Sequence, residues 1–410
     1  MSQFVANVVN KGDLGMMVEK YYFQYESNSS PEPDFPEAGV ELKTTGVERR
    51  KTGGYRAKER LVLSQIDYQT LAQEEWGSAS LMAKCRLMLI LFYLYEKEVP
   101  VENRRFVPAP ILFEFPEEDL VQIRLDWLTI KAKVAESKAH ELSESDTYYL
   151  SACRKGPGGE SEKLRTQWNS PIGARARAFS LKPRYLNQII DREGQEPSVL
   201  PKVATLGIEE ATRMKFEPYL GKTISELSLM LDFEKKGKNH KGYYRELTLR
   251  MLGTNKRTLP ELDRADIEIK TIRVNHKWQP AEPMSFPTFK YLDIVSQLWE
   301  DSSFFFKLER RFLFVVFRED SNGEMRLEKA AYWNMPFEDR EEARRVWEDT
   351  KRRTGIDASD LPSASESQVA HVRPKARNSG DTLPTPQGTR LVKKCFWLNR
   401  GYIANIIRLL

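Results

Sequence analysis

A series of chemistry-bearing residues occurs twice in this chain, in the same order and at matched spacing. Glu41-Leu42-Lys43-Thr44 returns as Glu268-Ile269-Lys270-Thr271. Glu261 stands seven residues before Glu268, as Asp34 stands before Glu41. Glu246 stands fifteen before Glu261, as Glu19 stands before Asp34, and Gly242 precedes Glu246 by four, as Gly15 precedes Glu19. Trp299 lies eight before Lys307, as Trp76 lies before Lys84. Further on, Trp347 parallels Trp127, Lys375 parallels Lys155, and Tyr402 parallels Tyr185. One match would be chance; an ordered series means duplication. The chain therefore reads as two tandem copies, 1–195 and 203–410. The junction is expected near residues 193–202, where Gly194, Pro197 and Pro201 interrupt any regular element. With 410 residues, each copy can bury its own core.

The chemistry is clearest in the first copy. Val40 to Thr45 alternates apolar and polar residues and predicts a short strand. Glu41 and Lys43 then share one face, with Val40 and Leu42 turned to the core. Asp34 sits in the Pro-rich turn before the strand, from which it can be delivered to the same face. Two carboxylates suit a hard divalent cation such as Mg²⁺, which takes oxygen ligands and keeps several waters. A lysine beside them can orient or deprotonate a water, or offset charge on a phosphate. By itself, Glu-x-Lys on a strand is in most proteins a solvated ion pair; its surroundings give it weight.

Residues 11–26 predict a helix with Asp13 as N-cap and Glu19 within it. Arg49 to Lys58 is a basic turn around Gly53-Gly54, suited to following a phosphate backbone or to an ordinary hairpin tip. Arg60 to Ile66 and Leu87 to Tyr95 predict strands, and Lys84 falls just before the second. Glu117 to Ser137 predicts a long amphipathic helix with Leu120, Ile123, Trp127 and Ile130 inward. A strand is expected at Thr147 to Ala152. Arg154-Lys155-Gly156 then opens a Gly-rich loop that can reach phosphates or base edges. Arg175, Arg177 and Lys182 are expected to extend a basic patch. In the second copy, 357–388 is expected to be loop, with Arg373, Lys375 and Arg377 as basic residues on it.

Composition narrows the class. The longest apolar run, Leu87 to Tyr95, is too short to span a bilayer. The start of the sequence shows no secretory signal pattern. Three scattered cysteines and four scattered histidines disfavour a disulfide framework, a zinc site or a Ser/His enzyme, and suggest a reducing, cytoplasmic setting. Net charge is +5 with 64 Lys and Arg, a mixture compatible with phosphate binding beside metal carboxylates.

Lys11 to Glu19, the Asp34/Glu41/Lys43 set, the Trp76–Lys84 spacing, Lys155 and Tyr185 together resemble the MutH family. Its members are the GATC-directed mismatch-repair nickase and related type II restriction endonucleases that cut at GATC. The resemblance implies an α/β, restriction-endonuclease-like mixed central sheet flanked by helices, here duplicated in tandem. It implies Mg²⁺ held by Asp34 and Glu41, with Lys43 and Lys84 catalytic and Glu19 an accessory acid. It implies DNA contacts from Arg154, Lys155 and Tyr185, and from Arg373, Lys375 and Tyr402 in the second copy. Glu246, Glu261, Glu268, Lys270 and Lys307 are the second-copy counterparts. Two departures stand out: Cys153 where family members can carry arginine, and Glu261, one methylene longer than Asp34. In the restriction branch the C-terminal copy is a DNA-binding, allosteric half, so the first copy is expected to cut and the second to bind. The implied partners are double-stranded DNA and a cognate DNA methyltransferase, with the protein a monomer or a DNA-induced dimer. Two alternatives remain: a non-cleaving DNA-binding protein on a nuclease scaffold, and a mismatch-repair-type nickase.

Overall fold

The computed structural model describes residues 11–25, 32–156, 158–159, 162–191, 200, 202–233, 242–256 and 259–410. The expected junction, 193–202, lies almost wholly outside them. The chain forms two compact units. One comprises Met1–Lys155, Leu164–Ile208 and Pro260–Asp266; the other comprises Gly156–Lys163, Glu209–Leu259 and Ile267–Leu410.

In the first unit, helix α1 (Lys11–Met17) continues as a π-helical turn, Val18–Tyr22. Asp13 lies inside α1 rather than ahead of it, so it is not the expected N-cap. Strand β1 (Val40–Arg49) runs parallel to β4 (Leu87–Leu94), and β2 (Tyr55–Ala57) and β5 (Ile111–Glu114) complete a sheet in the order β2-β1-β4-β5. Parallel pairing demands burial on both faces, which explains the near-continuous apolar run of β4. Helix α2 (Ser80–Cys85) lies in the crossover between β1 and β4. Helix α3 (Glu117–Ala135) buries Ile123, Trp127 and Ile130 as expected, but its buried stripe also carries Asp119, Gln122 and Asp126. Asp126 accepts the backbone N–H groups of Tyr148, Tyr149 and Leu150 at 3.0, 2.6 and 2.9 Å, so it pins α3 to the start of β6 (Leu150–Arg154). A second sheet has the order β3 (Leu61–Gln65), β7 (Arg177–Leu181), β6, and helix α4 (Pro183–Ile190) follows it.

The second unit repeats this plan. Strand β8 (Glu268–Val274) runs parallel to β10 (Phe312–Glu319), which pairs with β11 (Met325–Trp333). Strands β9 (Met284–Thr288), β13 (Lys394–Leu398) and β12 (Ala370–Pro374) form the second sheet in that order. Helix α5 (Tyr243–Met251) precedes β8; α6 (Ser303–Leu308), α7 (Phe337–Ile356) and α8 (Arg400–Leu409) match α2, α3 and α4. Matched packing accompanies matched topology. Trp76 meets Trp127 at 5.6 Å between ring centroids, and Trp299 meets Trp347 at 5.7 Å. Such aromatic pairs contribute roughly 0.5–1.5 kcal/mol beyond the area they bury. The segment 357–388, expected to be loop, contains β12 and a short strand at Thr382–Pro384.

Candidate active site

A tight turn brings Asp34 to Glu41. Phe35 and Val40 exchange both backbone hydrogen bonds, Phe35 N to Val40 O at 2.9 Å and Val40 N to Phe35 O at 3.2 Å. Pro36 to Gly39 close the turn between them, with Gly39 at φ +62°, in the left-handed region. In antiparallel pairing the next couple outward, Asp34 and Glu41, is a close, non-hydrogen-bonded pair. The side chains complete it: Asp34 N–H donates to Glu41 Oε2 at 3.1 Å, and Leu42 N–H donates to Asp34 Oδ2 at 2.9 Å. The seven-residue spacing of the acids is thus a turn of fixed length plus one bridging pair.

Both lysines converge on the same carboxylate. Lys43 Nζ lies 2.6 Å from Glu41 Oε1, as the two-residue strand period requires, and Lys84 Nζ lies 3.7 Å from the same oxygen. Lys84 arrives from the last turn of α2, four residues before Met88, the β4 residue in register with Glu41. Glu41 is 2% exposed. Burial raises its pKa above the usual carboxylate value; Lys43 and Lys84 oppose that rise and the Asp34 charge adds to it. Cys85, beside Lys84, is fully buried and its thiol is pushed up to about 12, which makes it inert. Glu19 is half-buried on the π-helical turn. Its helix packs on β1 where Gly15 faces Thr44: a Cβ added at Gly15 would sit 3.2 Å from Thr44 Oγ1.

The donor set suits a hard cation. Among the described residues no three His, Cys, Asp or Glu side chains group to hold an ion. Two protein carboxylates are what Mg²⁺ uses when water and phosphate oxygens fill the rest of its shell. A buried carboxylate with a raised pKa is also one that gains from a cation beside it.

In the second unit, Glu268, Lys270 and Lys307 come together as their first-unit counterparts do. Lys270 Nζ and Lys307 Nζ lie 2.7 and 3.1 Å from Glu268. A third cation, Arg310, joins them at 2.8 Å. Burial alone would raise Glu268, but the three cations outweigh it and bring its pKa down to about 2. Glu261 does not play the part of Asp34. It lies on the short helix Pro260–Arg264, 1% exposed, and accepts the Leu200 N–H at 2.9 Å within the first unit. Glu246 is exposed on α5.

The expected DNA contacts divide. Lys155 is exposed just past β6, held by its backbone N–H on Ala176 O at 2.8 Å, and Lys375 repeats that bond to Lys393 O at 2.8 Å. Arg154 ends β6 opposite Arg177. Arg373 is exposed over the Trp397 ring, and Lys375 Nζ donates to Phe286 O at 2.8 Å. The two tyrosines are corrected. Tyr185 is 2% exposed and its hydroxyl donates to buried Asp119 at 2.7 Å; burial and that carboxylate raise its pKa. Tyr402 is half-buried and donates to Asp339 at 2.7 Å. Each is a repeated packing lock on the third residue of α3 or α7, and neither is presented to a ligand. Arg177 and Lys182 are also buried, donating to Ala152 O and to Thr147 O, so they do not extend a basic patch. Sequence reasoning missed Arg310 and these Tyr–Asp locks. Nothing in the spacing singles Arg310 out: it stands two residues before Phe312, the register partner of Glu268, as Arg86 stands two before Met88, yet Arg86 pairs with Glu114 at 3.3 Å.

The family model described as DNA mismatch repair enzyme MutH matches residues 23–126 and again 252–345, each time across the acid–lysine cluster. The type II restriction enzyme Sau3AI of Staphylococcus aureus is 33% identical over 430 aligned residues, covering 95% of this chain and 87% of that protein. The chain belongs to the MutH family. Within it, the chain is a restriction endonuclease with the family domain in two copies. The mismatch repair protein MutH of Photorhabdus laumondii is 34% identical over 187 residues, 45% of this chain and 78% of that protein. The Shewanella woodyi MutH is 28% identical over a stretch of equal length. A match that covers most of MutH and under half of this chain agrees with the tandem duplication. Among the described residues no helix is long and apolar enough to cross a membrane.

Proposed function

We propose that the protein is a Mg²⁺-dependent type II restriction endonuclease that cuts both strands of duplex DNA at a short palindrome, GATC. One observation carries the reading: Asp34, Glu41, Lys43 and Lys84 converge in the first unit at hydrogen-bonding or ion-pairing distance. Asp34 and Glu41 hold the metal. When bound, a divalent ion supplies Lewis-acid polarisation and neutralises phosphate charge. Lys43 orients the attacking water in line with the scissile P–O bond, and Lys84 offsets the charge that develops on the phosphate. Glu19 assists from the π-helical turn. Exposed Lys155, with part-buried Arg154 before it, meets the DNA beside the site, and Arg373 and Lys375 do so in the second copy.

The first copy, 1–195, cuts; the second, 203–410, binds DNA. The GATC assignment is supported by similarity to Sau3AI and to MutH proteins. A restriction enzyme needs its host's sites masked, so a cognate DNA methyltransferase belongs to the same cytoplasmic system. The protein acts as a monomer or a DNA-induced dimer. Plasmid digestion with Mg²⁺, against EDTA, followed by sequencing of the ends, tests the whole reading. Linear products with every end at GATC are expected. Nicked circles alone would favour a nickase, and uncut plasmid a non-cleaving binder.

A further inference from the structure

A hairpin follows the Lys155 loop in the first unit, with Arg165–Gln167 paired antiparallel to Ser170–Ala174. Its backbone is pinned to the unit. Gln167 is 2% exposed; its side chain accepts the Ala139 N–H at 2.7 Å and donates to Ile172 O at 2.8 Å. At the turn, Ser137 Oγ donates to Asn169 O at 3.2 Å. Two large apolar side chains stay outside: Leu164 and Ile172 are each 53% exposed. Leu164 lies across Gly173, the residue after Ile172, where an added Cβ would sit 2.7 Å from Leu164 Cβ. The pair is thus seated on a fixed backbone by an approach that glycine allows. Exposed cations accompany it. Arg165 follows Leu164, and the Lys155 N–H bonds Ala176 O two residues past the hairpin.

The second copy has the matching hairpin, Thr382–Pro384 with Arg390–Val392, and the matching bond from Lys375 N–H to Lys393 O. Counted from these bonds, Leu383 faces Leu391 where Arg165 faces Ala174. Thr382 then stands at the place of Leu164, and Thr389 at that of Ile172. Leu383 and Leu391 are partly buried against the core of the second unit. One hairpin therefore puts its apolar groups inward in the second copy and outward in the copy that holds the acid pair. A lone exposed leucine needs no explanation; two apolar side chains seated together among cations mark a contact surface.

We propose that Leu164 and Ile172 form an apolar seat for the C5-methyl group of thymine in the recognition sequence, and so help the first copy to select its site. The inference rests on the reading that the protein acts on duplex DNA at GATC. Thymine carries a methyl group on its major-groove edge, and apolar side chains recognise it by contact. Each strand of GATC offers one such methyl. The cations beside the pair fit a polyanion as the occupant and hold the duplex through its phosphates. A hairpin already fixed by Gln167 loses little freedom when it docks, so the contact is expressed as selectivity.

The test uses the full-length Asp34→Asn protein and duplexes carrying either thymine or uracil at the T of GATC, in one strand or both. Uracil keeps the hydrogen-bonding edge and lacks the methyl. Its loss should weaken binding about fourfold, the worth of one buried methyl group. Leu164→Thr/Ile172→Thr gives the hairpin the second copy's residues. It should bind the thymine duplex more weakly by a similar factor, and its uracil penalty should fall below about twofold, because the two losses remove one contact. Leu164→Ala should fall between. Both side chains are half-exposed, so the melting temperature should hold. Wild-type kcat/KM on the same duplexes gives the comparison a second readout. The proposal is overturned if uracil carries no penalty in the parent, or if the penalty is equal in parent and double variant. It is also overturned if the double variant weakens site-free duplex as much as GATC duplex. Self-association of wild type that the double variant abolishes, with the uracil penalty untouched, would give the patch to a second copy of this chain instead. The two readings fail separately. A protein that leaves GATC plasmid uncut in Mg²⁺, yet shows a Leu164-dependent uracil penalty in binding, sinks the nuclease reading alone. One that cuts at GATC without such a penalty sinks this inference alone.

Discussion

Glu41 and Glu268 occupy the same place in two copies of one fold, and their charges are handled in opposite ways. Glu41 is nearly inaccessible, shares its site with a second acid, and has a raised pKa. Glu268 is partly open, shares its site with a third cation, and is held down to about 2. Two changes separate them: the acid before the strand points elsewhere, and the arginine two residues before the register partner pairs with Glu114 in the first copy (Arg86) but with the motif glutamate in the second (Arg310). The strand, the Glu-x-Lys pair and the distal lysine thus persist in both copies while the groups that accompany the glutamate change. Sequence identity at the motif does not distinguish the two; the local count of charges does.

The largest effect that could break this contrast lies in the first unit. Lys43→Ala should lower single-turnover cleavage by about 10³-fold or more while duplex binding persists. A rate within tenfold of wild type would remove Lys43 from the chemistry. Next is acid sensitivity in the second unit. The folded pKa of Glu268 lies below its usual 4.5, so its ion pairs add stability above that value. That stability is lost as pH falls through about 2, and it amounts to no more than about 3 kcal/mol. Urea unfolding of wild type and Glu268→Gln should show a difference at pH 7 that shrinks at pH 3; a constant difference would contradict the depressed pKa.

Smaller again is Glu261→Ala. It strips the buried Leu200 amide of its acceptor, so a stability loss of about 1–3 kcal/mol is expected. The cleavage rate well below the melting temperature should hold. A large loss of rate with unchanged stability would restore Glu261 to a metal role. The mildest is Gly39→Ala, which places a Cβ in the left-handed region at a cost of about 1 kcal/mol. It should weaken metal affinity more than it lowers the rate at saturating metal. An unchanged affinity would show that the turn does not set the acid pair.

Much of this is legible in the sequence. The strand carrying Glu41 and Lys43, the buried β4, the Trp127 helix and the duplication all follow from alternation, periodicity and spacing. Lys84 was legible through Trp76, because the aromatic anchors the connection that delivers it. Glu261 was not, although its spacing to Glu268 matches that of Asp34 to Glu41. In the first copy seven residues span a hydrogen-bonded turn; in the second they begin with a helix, Pro260–Arg264, and spacing cannot tell the two apart. Tyr185 and Tyr402 misled for a related reason. Their partners, Asp119 and Asp339, are far away in sequence, so nothing local marks those hydroxyls as already committed. Arg310 was present as well, at the same distance before its strand as Arg86, but the partner each takes depends on where a long side chain reaches.

The most direct measurement is metal-directed cleavage of the polypeptide itself, with Fe²⁺ and ascorbate replacing Mg²⁺ in the presence of uncleavable GATC duplex. The account expects backbone scission around residues 34–43, abolished by Asp34→Asn, and none around 261–270. Scission around 261–270, or a pattern that Asp34→Asn leaves unchanged, would contradict it.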